Sequence, residues 1–224
     1  MLLSGAFLLA LILAGIIIAI SGGGGAHHTT TKPPAAQGTT TSSSTPAANS
    51  TACTLPAGDQ TIPSASPPAG TTWTQVGAMS VPQAPAMLGP QRMSGPWPTC
   101  FARNPSGALL SLMNFVAAGS NGDPAKVLRS LATGVPAQLP PCDKGGSLDQ
   151  AAGGPVQIAG YRYESYTPER ASAVLALKAP RGLLGVALTA KWVGDDWRVQ
   201  YPPGGCASAS QLSDLGGYIQ WSAF

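Results

Sequence analysis

Leu2 to Ile20 is an uncharged, mostly apolar run of 19 residues, chiefly Leu, Ile and Ala. As a helix rising about 1.5 Å per residue it spans about 28 Å, against a bilayer core of about 30 Å. It is longer than the usual signal-peptide core, so residues 1–20 read as a retained transmembrane anchor. A cleaved signal peptide, with a site near Ala19-Ile20-Ser21, is the alternative. Residues 21–52 then turn to Gly, Ser, Thr and Pro. That tract lacks the apolar side chains to repay the entropy of ordering, and reads as a disordered linker reaching about 30–100 Å. A folded domain is expected over 53–224, its Pro/Gly-rich part to about residue 100 extended and turned, with Trp73 as an anchor.

Two helical patterns follow. Asn104-Pro105 is a capping residue followed by proline in the first turn, and Ala108, Leu109, Leu112, Phe115 and Val116 recur at helical spacing up to Gly119. Asp123-Pro124 announces a second helix with Val127, Leu128 and Leu131 on one face, stopped by Gly134. After a loop over 135–153 the period becomes two. Strands are expected at 156–158 leading to 161–166, at 173–177, at 184–192 and at 197–201. A two-residue turn at Gly194-Asp195 puts Trp192 opposite Trp197 and Ala190 opposite Val199. It also sets Lys191 against Arg198, an unfavourable pair, so either Asp196 or Glu164 offsets it across a neighbouring strand or the turn is longer than two residues. Residues 212–218 and Trp221 are expected to close an open edge as a short helix or strand. The fold class is α+β, with helices packed on a curved antiparallel sheet.

Charge narrows the chemistry. Only 9% of residues are charged, and Lys32 and Asp59 are the only charged side chains before Arg92. A net charge of +3 with no local Lys/Arg cluster along the sequence is no nucleic-acid footprint. His27 and His28 are the only histidines and fall in the linker, so Ser-His and Cys-His catalysis and ordinary His-ligated metal sites are excluded from the domain. Asp195-Asp196 reads as a pair of solvated turn residues, and Asp143, Asp149 and Asp214 also fall at turns or edges. Composition therefore indicates no catalytic residue, metal or cofactor.

Cys53, Cys100, Cys142 and Cys206 form no C-x-x-C pair. Behind an export segment they read as two structural disulfides, with three pairings open. Cys53 stands where the linker ends, so a bridge from it would pin the linker to the domain.

The order helix, helix, meander, with paired tryptophans around Val193-Gly194-Asp195-Asp196 and Arg198-Val199 beyond, resembles the NTF2-like cone fold. The stretch from about Asp59 to Phe224 is similar to a family of actinobacterial exported proteins tied to mobile elements and phages. The segments that carry this are Gly58 to Pro63, Cys100 to Leu110, Ala159 to Arg162 and Gly217 to Trp221. Anchor, linker and domain together resemble the bitopic scaffold subunits of conjugation and type IV secretion machines, including the TcpC type. The resemblance implies a single-pass protein of the cell membrane with its C-terminal domain outside the cytoplasm. Its partners would be the bilayer, through Leu2 to Ile20, and other channel subunits or a second copy of itself. No catalytic residue would carry over. Trp192, Trp197, Tyr161 and Tyr163 are the candidate pocket or interaction residues. A buried, isolated carboxylate in the cone would point instead to an enzyme. A small-ligand binder and a stand-alone surface module remain as alternatives.

Overall fold

The computed structural model describes residues 52–120, 123–140, 152–202, 207 and 209–221. The expected anchor, the linker up to Thr51, and both Cys142 and Cys206 lie outside these residues. Among the described residues no helix is long and apolar enough to cross a membrane. Contacts divide the chain after Ala48, and every described residue belongs to the second unit, Asn49–Phe224.

Helix α1 spans Pro105–Gly119. Asn104 caps it, its side chain accepting a hydrogen bond from Gly107 N at 2.7 Å, and Pro105 fits the first turn, where an N–H would have no helical partner. Burial is not confined to one stripe as expected. Leu110, Ser111, Met113 and Asn114 are buried as well, while Phe115 is only partly so. The helix is a central element, packed on the sheet and also against an N-terminal hairpin and α2. Helix α2, Pro124–Leu131, is capped by Asp123 and buries Val127 and Leu131. It stops short of Gly134 because Ala132–Thr133 leaves it as strand β5.

The N-terminal arm forms two hairpins, β1 (Thr72–Val76) with β2 (Met79–Gln83), and β3 (Arg92–Ser94) with β4 (Trp97–Thr99). Its deepest anchors are Met79 and Val81, both fully buried, whereas Trp73 is half-buried against the core. Between the hairpins, Gly89 has φ 102° and lies so near the Cys100 carbonyl that an added Cβ would stand 2.6 Å from it. Only glycine fits there.

The main sheet runs in the order β5-β9-β8-β7-β6, from β6 (Gln157–Thr167), β7 (Arg170–Ala179), β8 (Gly182–Val193) and β9 (Asp196–Gln200). Four of these strands form the antiparallel meander that the period-two pattern predicts, and β5 adds in parallel at the β9 edge. Strand β6 is one element rather than two, bent by irregularities after Ile158 and after Tyr163. The last hairpin has the predicted register: Trp192 faces Trp197, Ala190 faces Val199 and Lys191 faces Arg198. Gly194, with φ 65°, supplies the positive φ that so tight a loop requires. Leu175, Leu177, Val186 and Leu188 point inward to α1, and the alternate residues form the outer face.

The C-terminal segment closes two edges instead of one. Strand β10, Ala209–Leu212, pairs with β8 at Leu183 to Val186, and Ile219 exchanges both backbone hydrogen bonds with Tyr161 on β6. Since β7 lies between β8 and β6, the intervening residues cross the outer face as a strap. Val174 and Ala176, on the outward side of β7, are consequently buried. A Cβ at Gly160 would stand 2.6 Å from Ile219 O, and one at Gly185 would meet Leu212 at 3.0 Å. Beyond the crossing, Trp221 turns into the core.

Candidate functional site

Two places combine unusual chemistry with defined geometry: the pole around the β8–β9 hairpin, and the aromatic interior behind it. Cys53 and Cys100 form a disulfide closing 47 residues of chain, with a Cα–Cα distance of 5.2 Å. The adjacent acids grip the backbone of both cysteines. Asp195 accepts from Cys53 N at 2.6 Å, and Asp196 accepts from Cys100 N at 2.8 Å. Asp196 also accepts from Phe101 N and from its own neighbour Trp197 N, each at 2.9 Å.

The two acids therefore separate in role. Asp195 stays half-exposed and pairs with Arg92 at 3.6 Å. Asp196 is 4% exposed, which corrects the expectation of a solvated turn residue. Burial pushes its carboxyl above the usual range, while the N–H groups of Cys100 and Phe101, the nearby Arg198 and Trp197 N pull it partly back. The carboxylate is not isolated: three backbone donors occupy it. The sequence carries no sign of this, because Asp in a turn motif is ordinary and its partners are about 95 residues away.

The four candidate aromatic residues all sit on the inner face. Trp192 and Trp197 meet edge to face at 5.5 Å, and Trp197 approaches Tyr166 at 6.3 Å. Tyr166, Tyr163, Tyr161 and Trp221 continue the contact at centroid distances of 6.4, 6.0 and 5.0 Å. Four of these aromatic residues donate to backbone carbonyls of the N-terminal arm and the start of α1, and Tyr166 donates to the Gln60 side chain at 2.6 Å. Trp197 Nε1 donates to Ala102 O, Tyr161 to Pro63 O, Tyr163 to Pro105 O and Trp221 Nε1 to Ala65 O. Burial raises the Tyr161 and Tyr163 hydroxyls far above their ordinary range, so both remain protonated donors. Sequence periodicity places Tyr161 and Tyr163 together, whereas Tyr166 joins them through the shift in register after Tyr163. At the rim Arg103 lies over the Trp192 ring at 5.4 Å and pairs with Glu169 at 3.1 Å.

On the outer face, between strap and sheet, lies a groove of about 480 Å³. Gly185 and Ala187 line it from the sheet, Arg162 and Glu164 from β6, and Asp214 and Tyr218 from the strap. Arg162 stacks over Tyr218 at 5.0 Å. Among the described residues no His, Cys, Asp and Glu side chains gather in a group fit to hold a metal ion.

Fold and site together define an α+β domain whose aromatic interior is sealed by its own N-terminal arm, which a disulfide pins at its start. The chain belongs to a family described as a domain of unknown function, DUF8175, whose model matches residues 31–220. No curated protein and no solved structure matches it.

Proposed function

We propose that the chain is a membrane-anchored, non-catalytic scaffold or accessory subunit of a conjugation or type IV secretion-like machine, or of a related mobile-element system. Its folded domain stands outside the cytoplasm in an NTF2-like arrangement. The observation that carries this reading is how the interior is used. Where a cone of this kind would keep a ligand pocket, Tyr161, Tyr163, Tyr166, Trp197 and Trp221 are packed ring against ring, and the polar atoms of all but Tyr166 are spent on backbone carbonyls. An interior so filled favours packing against other proteins over turnover of a small molecule. Asp196, the one buried carboxylate among the described residues, holds backbone instead of facing a cavity. The Cys53–Cys100 bridge favours an oxidising compartment.

A second reading, a ligand-binding surface module, has one observation in its favour, the strap-covered groove with Arg162 and Glu164. In-cell cross-linking in the native host, followed by identification of the attached proteins, separates the two. The scaffold reading expects other membrane-spanning transfer components on the cross-linked chain. Recovery of the chain alone, or only as its own dimer, would sink that reading.

A further inference from the structure

Strand register brings together three cations that the sequence keeps apart. Arg170 opens β7 and faces Lys191 on β8, which in turn faces Arg198 on β9. Their neighbours Ala171, Ala190, Trp197 and Val199 point inward, so the three charged side chains leave the outer face in one lateral row. Adjacent strands lie about 4.8 Å apart, which gives the row a length of about 10 Å. Like charges set directly opposite one another destabilise a sheet.

The acids nearby offset Arg198 at most and leave Arg170 and Lys191 without a carboxylate partner. Glu169 is paired with Arg103, and Asp196, though it draws on Arg198, is enclosed by three backbone N–H groups. Arg198 also donates to Ser130 O at the end of α2. Arg170 and Lys191 take part in neither of the ion pairs found among the described residues. One row further along the same face, the hydroxyls of Ser172 and Thr189 share a hydrogen bond at 2.9 Å. Arg170 is exposed and Lys191 half-buried, with Arg198 half-buried beside them, so this face presents cations near hydroxyls, a donor set suited to phosphate oxygens.

Lys191 and Arg198 are one residue in from Trp192 and Trp197, on the hairpin whose Asp195 holds Cys53 N. The row is therefore at the pole where the chain from the linker enters the domain. We propose that it docks on the anionic headgroups of the bilayer that anchors the chain, an inference that rests on the membrane-anchored reading above. Such contacts are weak singly, and a tether makes them effective by confining the domain near the surface.

The test uses the full chain in lipid nanodiscs of phosphatidylcholine alone and of three parts phosphatidylcholine to one part phosphatidylglycerol. Hydrogen exchange over β7 to β9 is expected to slow several-fold only in the anionic discs, and the slowing to vanish in high salt. The double variant Arg170→Gln/Lys191→Gln should lose that protection while its Tm stays equal or rises, because a like-charge contact is relieved. Equal exchange in both discs, or protection that survives in the double variant, overturns the docking row. Protection by polyphosphate or a DNA oligonucleotide but not by phosphatidylglycerol overturns the lipid assignment. A chain that fails to enter even the phosphatidylcholine disc contradicts the anchor reading, and this inference with it.

Discussion

At Asp196 one carboxylate accepts three backbone N–H groups, two of them from the segment that carries the disulfide. Asp196→Asn would turn one acceptor into a donor against Cys100 N or Phe101 N, and should cost about 1–3 kcal/mol in urea unfolding. The pH dependence has a definite sign. Burial raises the folded-state pKa above the ordinary 3.8, so this group stabilises the fold most below that value and less as pH climbs through the folded-state one. The advantage of wild type over Asp196→Asn should be largest below pH 3.8 and narrow toward neutrality. A gap that widens with pH would contradict this account. None of it was legible in the sequence, where Asp195 and Asp196 are equivalent. The partner backbone alone separates them.

Elements were easier to read than residues. The Asn104-Pro105 start of α1 and the Trp192–Trp197 register follow from local chemistry, a capping side chain and a two-residue glycine turn, and both stand as expected. The strap was not legible. Ala209–Leu212 has little strand pattern because most of its side chains stay exposed, and its path is fixed by distant glycines, Gly160 and Gly185, that leave room for it. Trp221 holds the far end, buried against Tyr161 and bonded to Ala65 O. Trp221→Ala should cost about 3–5 kcal/mol and speed hydrogen exchange at Ile219 and along β10. Unchanged exchange there would mean that the strap holds by its backbone pairing alone.

For the molecule as a whole, the disulfide fixes the N-terminal arm, which in turn supplies the carbonyls that seal the aromatic interior. Closing 47 residues should contribute about 4 kcal/mol through the unfolded chain. Cys53→Ser/Cys100→Ser should lower the unfolding free energy by that order, measured by urea titration beside wild type under oxidising conditions. The four cysteines pointed to a bridge of this kind without giving its partners, since connectivity depends on where the arm docks. The central claim is that a latched domain stands outside the cytoplasm on a membrane anchor. Protease treatment of intact protoplasts, with thiol labelling of the released fragment before and after reduction, tests it most directly. The account predicts that the protease releases a folded fragment in which Cys53 and Cys100, located by peptide mapping, become labelled only after reduction. A chain protected from the protease, with both thiols labelled without reductant, would contradict it.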